Sequence, residues 1–184
     1  MARTPSTMVA LGTQAPGFIL PDTISGKDIS LENSKGEIAT MIMFISNHCP
    51  FVKHVNPELV RLANDYKNKG IGFVAICSND VINHPDDSPV LMTQVAKQLK
   101  YPFPYLYDES QETAKTYDAA CTPDFFIYDK DLQLVYRGQL DDSRPGNEIP
   151  VTGKDSRHAL DCLINNKPLP QEQGPSIGCN IKWK

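Results

Sequence analysis

The chain has 184 residues and a formal net charge of −4, with 40% hydrophobic and 22% charged residues. That length suits one domain whose core closes without covalent staples, and the composition is that of an ordinary globular protein. No basic cluster is present to meet phosphates, which sets nucleic-acid binding aside, and no apolar run approaches the roughly twenty residues that span a bilayer.

In chain order, residues 12–37 are rich in turn formers. Two short alternating runs, Phe18–Leu20 and Asp28–Leu31, flank Ser25-Gly26-Lys27 and predict a β-hairpin. Ile38–Ser46 (IATMIMFIS) is apolar and partly β-branched, the pattern of a strand buried on both faces. Residues 50–69 predict a helix, with Phe51, Val55, Leu59, Leu62 and Tyr66 on one stripe, a kink at Pro57 and a stop at Gly70. Ile71–Cys77 (IGFVAIC) is a second buried strand.

Ser78–Asp87 is a polar loop, and Ser88-Pro89 opens a helix that runs to about Tyr101. Tyr101, Phe103, Tyr105 and Tyr107 alternate, which indicates a strand at the edge of the core. A short helix over Ser110–Asp118 follows, then two strands, Phe125–Tyr128 and Leu132–Tyr136, around the turn Asp129-Lys130-Asp131. Gly153–Asn166 predicts the last helix, and residues 167–184 form an extended C-terminal tail packed on or near the domain made by residues 1–166. Strands alternating with helices imply an α/β fold with a mixed central sheet covered by helices.

The opening, MARTPSTMVALGTQAPGF, carries no apolar core of a secretory signal, so a reducing cytoplasm is the expected compartment. Five cysteines, at 49, 77, 121, 162 and 179, make an odd and scattered set, against a disulfide framework. There is no CxxC pair and no zinc spacing. His48 and His54 flank Cys49 without further ligands at workable spacing, so neither a metal nor an organic cofactor is expected.

Cys49 in ISNHCPFVKHVNP is the candidate reactive residue. It lies just past a buried strand and just before a helix, where open α/β sheets gather their chemistry. A thiol reacts as thiolate, and a helix N-terminus together with His48 and Lys53 favours that form. A small buried filler is the alternative for any single cysteine.

The segment Phe44–Pro57 resembles the active-site segment of the thioredoxin superfamily, with Cys49 on the attacking cysteine. ACTPDFFIYD (residues 120–129) is similar to the loop that carries the cis-proline facing that cysteine, which gives Pro123 this place and lets Thr122 offer backbone groups to a substrate. GTQAPGFILPDTISGKDISL resembles the opening of the alkyl hydroperoxide reductase and thiol-specific antioxidant (AhpC/TSA) branch, and FPYLYDES with AKTYDAACTPDFFIYD extends the likeness over residues 12–166. The departures are specific. Val52 stands where thioredoxins carry their second cysteine, Ile42 stands where the peroxiredoxin motif has proline, and Pro123 takes the place of the peroxiredoxin arginine. The resemblance is thus to a peroxiredoxin-like group that keeps only the first thioredoxin cysteine.

That resemblance implies a thiol–disulfide oxidoreductase with Cys49 as nucleophile and a protein or small-molecule thiol or disulfide as partner. A hydroperoxide-reducing peroxidase and a non-redox binding module are the alternatives. A thiol is needed to resolve any product on Cys49. Cys121, two residues before Pro123, is one candidate. Cys179 in the tail is the other, because about a dozen extended residues reach up to roughly 40 Å, to the site or to a second subunit of a homodimer. Cys77 and Cys162 read as core. His48 tunes the thiolate, and Arg144, in the charged loop after the last strand, offers positive charge near Cys49.

Overall fold

The two apolar runs of the sequence lie side by side at the middle of a five-stranded sheet. The computed structural model describes residues 3–184. Its elements begin with strands β1 (Arg3–Pro5), β2 (Ile19–Pro21) and β3 (Asp28–Ser30), helix α1 (Leu31–Ser34), strand β4 (Ala39–Phe44), helix α2 (Pro50–Tyr66) and strand β5 (Ile71–Cys77). Helix α3 (Pro89–Leu99), strand β6 (Tyr105–Tyr107), helix α4 (Glu112–Thr116) and strands β7 (Cys121–Thr122), β8 (Asp124–Asp129) and β9 (Leu134–Gly138) follow. Helix α5 (Lys154–Ile164) and strand β10 (Ile177–Asn180) complete the chain.

The main sheet has the order β6-β5-β4-β8-β9. β4 pairs parallel with β5, and β5 with β6, whereas β8 runs antiparallel to both β4 and β9. The hairpin expected at the start is β2–β3, joined in register from Ile19↔Ser30 to Pro21↔Asp28. Alternation along β4 divides the core. Met41 and Met43 face a layer built on Phe51, Leu59 and Leu62 of α2 and Leu160 of α5. Ile42 and Phe44 face the opposite layer, with Tyr117, Phe126 and Tyr128. All six residues of β4 are buried, which is why the run shows no polar alternation.

Helix α2 keeps its stripe on the core, continues through Pro57, and is followed by a short turn that ends at Gly70 in the left-handed region, φ 79°. Among the described residues, no helix is long and apolar enough to cross a membrane.

The tail differs from its sequence reading. Residues 167–184 offered no periodicity, yet Ile177–Asn180 form β10, the middle strand of a small sheet in the order β1-β10-β7. Its partners lie in sequence at the opposite end of the chain (Arg3–Pro5) and in the loop before β8 (Cys121–Thr122), so no local pattern announces it.

Phe44 is buried and packs edge-on against Phe126, 5.9 Å between ring centroids, and tilted against Tyr117 at 5.6 Å. Phe44→Ala is expected to cost about 3–5 kcal/mol in urea-induced unfolding, the usual cost of deleting a fully buried ring. A loss below about 1 kcal/mol would contradict this packing.

Candidate active site

Cys49 is placed by the junction of β4 and α2. After β4, the amide of Ile45 still donates to the carbonyl of Ile76 at 2.9 Å, and the chain then turns into the helix. Cys49 takes the N-cap position with extended backbone, Pro50 opens the helix, and the Lys53 amide donates to the Cys49 carbonyl at 3.0 Å. Proline suits this position because the amide it lacks has no partner within the helix. The Cys49 side chain is fully buried, at 0% exposure.

The loop before β8 faces it. The Cys49 thiol lies 3.0 Å from the Thr122 carbonyl oxygen, and the Thr122–Pro123 peptide bond is cis. Ser46 and Thr122 approach through their hydroxyls at 3.4 Å. Cys121 is buried beside them, its thiol 3.5 Å from the Pro123 carbonyl, and burial raises its proton affinity well above the ordinary thiol range. Beneath the loop, the Asp124 carboxylate accepts from the Ala120 amide at 3.1 Å, while its other oxygen, Oδ1, has no hydrogen-bond partner among the described residues. Burial pushes this carboxyl up to about 7, against the pull of the Ala120, Cys121 and Phe125 amides.

Cys179 arrives from the tail. β10 pairs it directly opposite Thr122, and its sulfur stands 3.1 Å from that of Cys49. Cys179 is itself buried, at 2% exposure. Its thiol is pushed up to about 12, first by burial, then by the hydrogen bond and the charge of the Cys49 sulfur. Glycine at 178 is required here: a Cβ on Gly178 would lie 2.0 Å from the Thr122 carbonyl oxygen. Ser176 Oγ donates to the Pro123 carbonyl at 2.6 Å. Beyond the strand, the Lys182 amide donates to Asn79 Oδ1 at 2.8 Å, and the Asp80 amide to the Lys182 carbonyl at 2.8 Å.

The other sequence candidates sit around this centre with different partners. His48 turns its Nδ1 to Asp87 Oδ2 at 2.6 Å and stacks on His84, 5.2 Å between centroids. Asp87 also accepts from the Asn47 amide at 2.7 Å and from Asn79 at 2.7 Å. Burial works to raise its carboxyl, but these donors and the His48 ring hold it below the usual carboxylate range. Arg144 lines a small cavity with Phe51, His54 and Pro123, and its guanidinium donates to the Asp141 and Ser143 carbonyls and to Gln139. His54 pairs with Ser143 Oγ at 2.7 Å, so the two histidines that flank Cys49 serve different loops. Among the described residues, no group of three or more His, Cys, Asp or Glu side chains could hold a metal ion.

Asp87, Asp124 and Ser176 had no signal of their own in the sequence. Asp87 and Ser176 act on backbone groups brought near them only by the fold, whereas Asp124 acts on amides of its own loop, such as that of Ala120.

A central sheet with a cysteine at the start of the helix that follows its middle strand, facing an X-Pro loop, is the plan of the thioredoxin superfamily. The thioredoxin domain of a thiol-disulfide oxidoreductase from Bacteroides vulgatus shares that fold, with a TM-score of 0.60 at 18% identity over 74% of this chain and 90% of that one. Within that class the chain belongs to the AhpC/TSA family, whose model matches residues 11–137. The thiol-disulfide oxidoreductase ResA of Bacillus cereus is 27% identical over 125 residues, 68% of this chain and 67% of that protein. The crystal structure of an uncharacterized conserved protein from Geobacillus kaustophilus is 63% identical, with a TM-score of 0.99 over 100% of this chain and 97% of the other.

A carboxyl whose folded value is raised stabilises the fold fully below the unfolded value, near about 4, and that stability is lost as pH rises through the folded value. For Asp124 the loss runs up through about 7. Asp124→Asn keeps an acceptor for the loop amides and removes the titration. The variant's urea midpoint is therefore expected to gain on the wild type between pH 5 and pH 8. Parallel midpoints over that interval would exclude a neutral, buried Asp124.

Proposed function

We propose that the protein is a thiol–disulfide oxidoreductase in which Cys49 attacks the substrate and Cys179 closes the product disulfide. The observation that carries this reading is the 3.1 Å contact between the two sulfurs, made by residues 130 positions apart in sequence. The AhpC/TSA family model and the likeness to ResA support it from outside the site.

The electrostatics divide the labour. Cys49 stands at the N-terminus of a 17-residue helix, where the partial positive charge of the helix end favours an anion. Two sulfurs in contact inside the protein do not both carry charge, and Cys179 keeps its proton, with a value of about 12. Cys49 thiolate attacks one sulfur of a substrate disulfide. A Cys49–substrate bond forms, the substrate S–S bond breaks, and the departing sulfur takes the electron pair and a proton.

Once Cys49 is in the mixed disulfide its negative charge is gone. The hydrogen bond and the charge that held the proton on Cys179 vanish with it, while Lys182 still favours the thiolate. Cys179 then attacks Cys49, the second substrate sulfur leaves as thiol, and the protein holds a Cys49–Cys179 disulfide. A thiol reductant of the surroundings restores the pair.

Cys121, the other candidate from sequence, has a different thiol partner, the Pro123 carbonyl. We assign it a packing role against β10, where Asn180 pairs with it. Pro123 and Arg144 line one small cavity. Thr122 supplies the carbonyl to Cys49, and His48 is held by Asp87.

Oxidation with one equivalent of diamide, then alkylation and a non-reducing peptide map, is expected to give a Cys49–Cys179 bridge in the wild type and in Cys121→Ser. Cys179→Ser is expected to leave Cys49 as an adduct with added thiol, and Cys49→Ser to leave Cys179 alkylated. A bridge joining Cys49 to Cys121 would overturn the assignment of the resolving thiol. An unreactive Cys49 in every variant would remove the redox reading itself.

A further inference from the structure

Exchange at Cys49 needs a proton that neither thiol supplies. Cys49 enters as thiolate, Cys179 keeps its proton until the second step, and the first sulfur to depart still has to gain one. The donor must stand beside Cys49 and be able to give and regain a proton near neutrality, which is the property of an imidazole.

His48 is the residue bonded to Cys49 on its N-terminal side. Its Nδ1 meets Asp87 Oδ2 at 2.6 Å, with the Asp87 side chain at 0% exposure and the His48 side chain at 22%. A ring whose Nδ1–H is given to a carboxylate exchanges protons through Nε2. Asp87 is itself fixed: Oδ1 accepts from the Asn47 amide at 2.7 Å and the His48 amide at 3.3 Å, and Oδ2 accepts from Asn79 at 2.7 Å. Asn79 in turn accepts the Lys182 amide at 2.8 Å, three residues past Cys179. One buried carboxylate thus holds the two amides before Cys49 and, through one side chain, the backbone beyond Cys179. His54, on the other side of Cys49, uses its Nε2 on Ser143 Oγ.

We propose that His48 is the acid of the exchange: its Nε2 delivers a proton to the sulfur that Cys49 expels from a disulfide, and Asp87 is the positioning residue that fixes the ring. The inference rests on the thiol reading above and adds the proton donor to it. During attack three sulfurs stand in line, and the departing one lies about two S–S bond lengths, roughly 4 Å, from that of Cys49. Cys49 is buried and the His48 ring partly exposed, so the departing sulfur is displaced outward, to the level of the ring.

The balance closes. The Cys49–sulfur bond forms, the substrate S–S bond breaks, and the first thiol leaves with the proton of His48. Cys179 then attacks Cys49, and its own proton goes to the second thiol. Two electrons pass to the substrate disulfide, the protein holds the Cys49–Cys179 disulfide, and His48 regains a proton from water. The titratable groups about the pair are His84, stacked on the ring, and, behind Asp87, Cys77 and Tyr105, both kept protonated first by burial.

The test uses the full chain with Cys179→Ser, which isolates the first step, with His48 intact or replaced by Gln. Two disulfides are compared. The aromatic thiol of 5,5′-dithiobis(2-nitrobenzoic acid) departs as a stable anion, whereas the alkyl thiol of bis(2-hydroxyethyl) disulfide departs well only with a proton. Adducts on Cys49 are followed by mass spectrometry, and a Cys49→Ser, Cys179→Ser chain gives the background. The ratio of alkyl to aromatic rate cancels changes in thiolate fraction or access.

His48→Gln is expected to lower that ratio by about a hundredfold. With His48 intact the ratio falls as pH rises and the ring loses its proton, and with Gln it is flat. Asp87→Asn is expected to lower the ratio as well. A ratio unchanged by His48→Gln overturns the inference and leaves the redox reading standing, and one unchanged by Asp87→Asn overturns the positioning role. Silence of Cys49 toward both disulfides with His48 intact removes the redox reading too. A second readout needs no substitution: imidazole ¹⁵N NMR of the natural chain is expected to show neutral His48 with its proton on Nδ1, and a proton on Nε2 instead overturns the inference.

Discussion

The pairing of Cys179 with Thr122 across two short strands is the contact on which the rest of the centre depends. It fixes one sulfur 3.1 Å from another, leaves both buried, and sets the Thr122 carbonyl oxygen 3.0 Å from the Cys49 sulfur. In such a setting charge is scarce, because the buried medium screens it weakly. Burial together with the neighbouring Cys49 sulfur holds the proton on Cys179. A pair of thiols in water would share no such division.

Around that contact the scaffold is built from ordinary parts. Alternation along β4 and the apolar stripe of α2 set the strand–helix junction, so Cys49 is held by hydrophobic packing. The polar rim is different in kind. Asp87 gathers the Asn47 and His48 amides, Asn79 and the His48 ring around one buried carboxylate. Gln111 bridges the Ser78 and Lys182 carbonyls and receives the Lys184 amide. On the far side, buried Glu58 of α2 meets Arg157 of α5 at 2.7 Å and Arg61 at 2.6 Å, which ties α2 to the last helix. Buried polar groups matched in this way specify a position more sharply than apolar contact does.

The parts of this arrangement that were legible in the sequence are those set by neighbours in the chain. Ile71–Cys77 ends where the observed strand ends, because an apolar run bounded by Gly70 and a polar loop needs no distant partner to define it. Cys49 at the mouth of a helix, and the Thr-Pro step at 122–123, are also local signals. β10 was illegible because it has four residues, no alternation, and partners near both Arg3 and Thr122. Gly178 reads as a flexible joint in sequence, whereas in the fold it is a point of close approach. Asp87 reads as one more acidic residue of a polar loop, and only the tertiary structure gives it a charge-bearing role. Arg144 is legible as a cation near the end of the last sheet strand, but its donors go to Gln139 and to carbonyls of its own loop.

The small sheet β1-β10-β7 joins three stretches from the beginning, the late middle and the end of the chain. Contacts of such long sequence separation lose most loop entropy on closing, and they form late. A growing polypeptide on the ribosome can complete β4, α2 and β5 while the residues of β10 are still unmade. Over that interval Cys49 has no strand above it. The seating of β10 therefore divides the lifetime of the molecule into a nascent phase with an uncovered thiol and a mature phase with a guarded one.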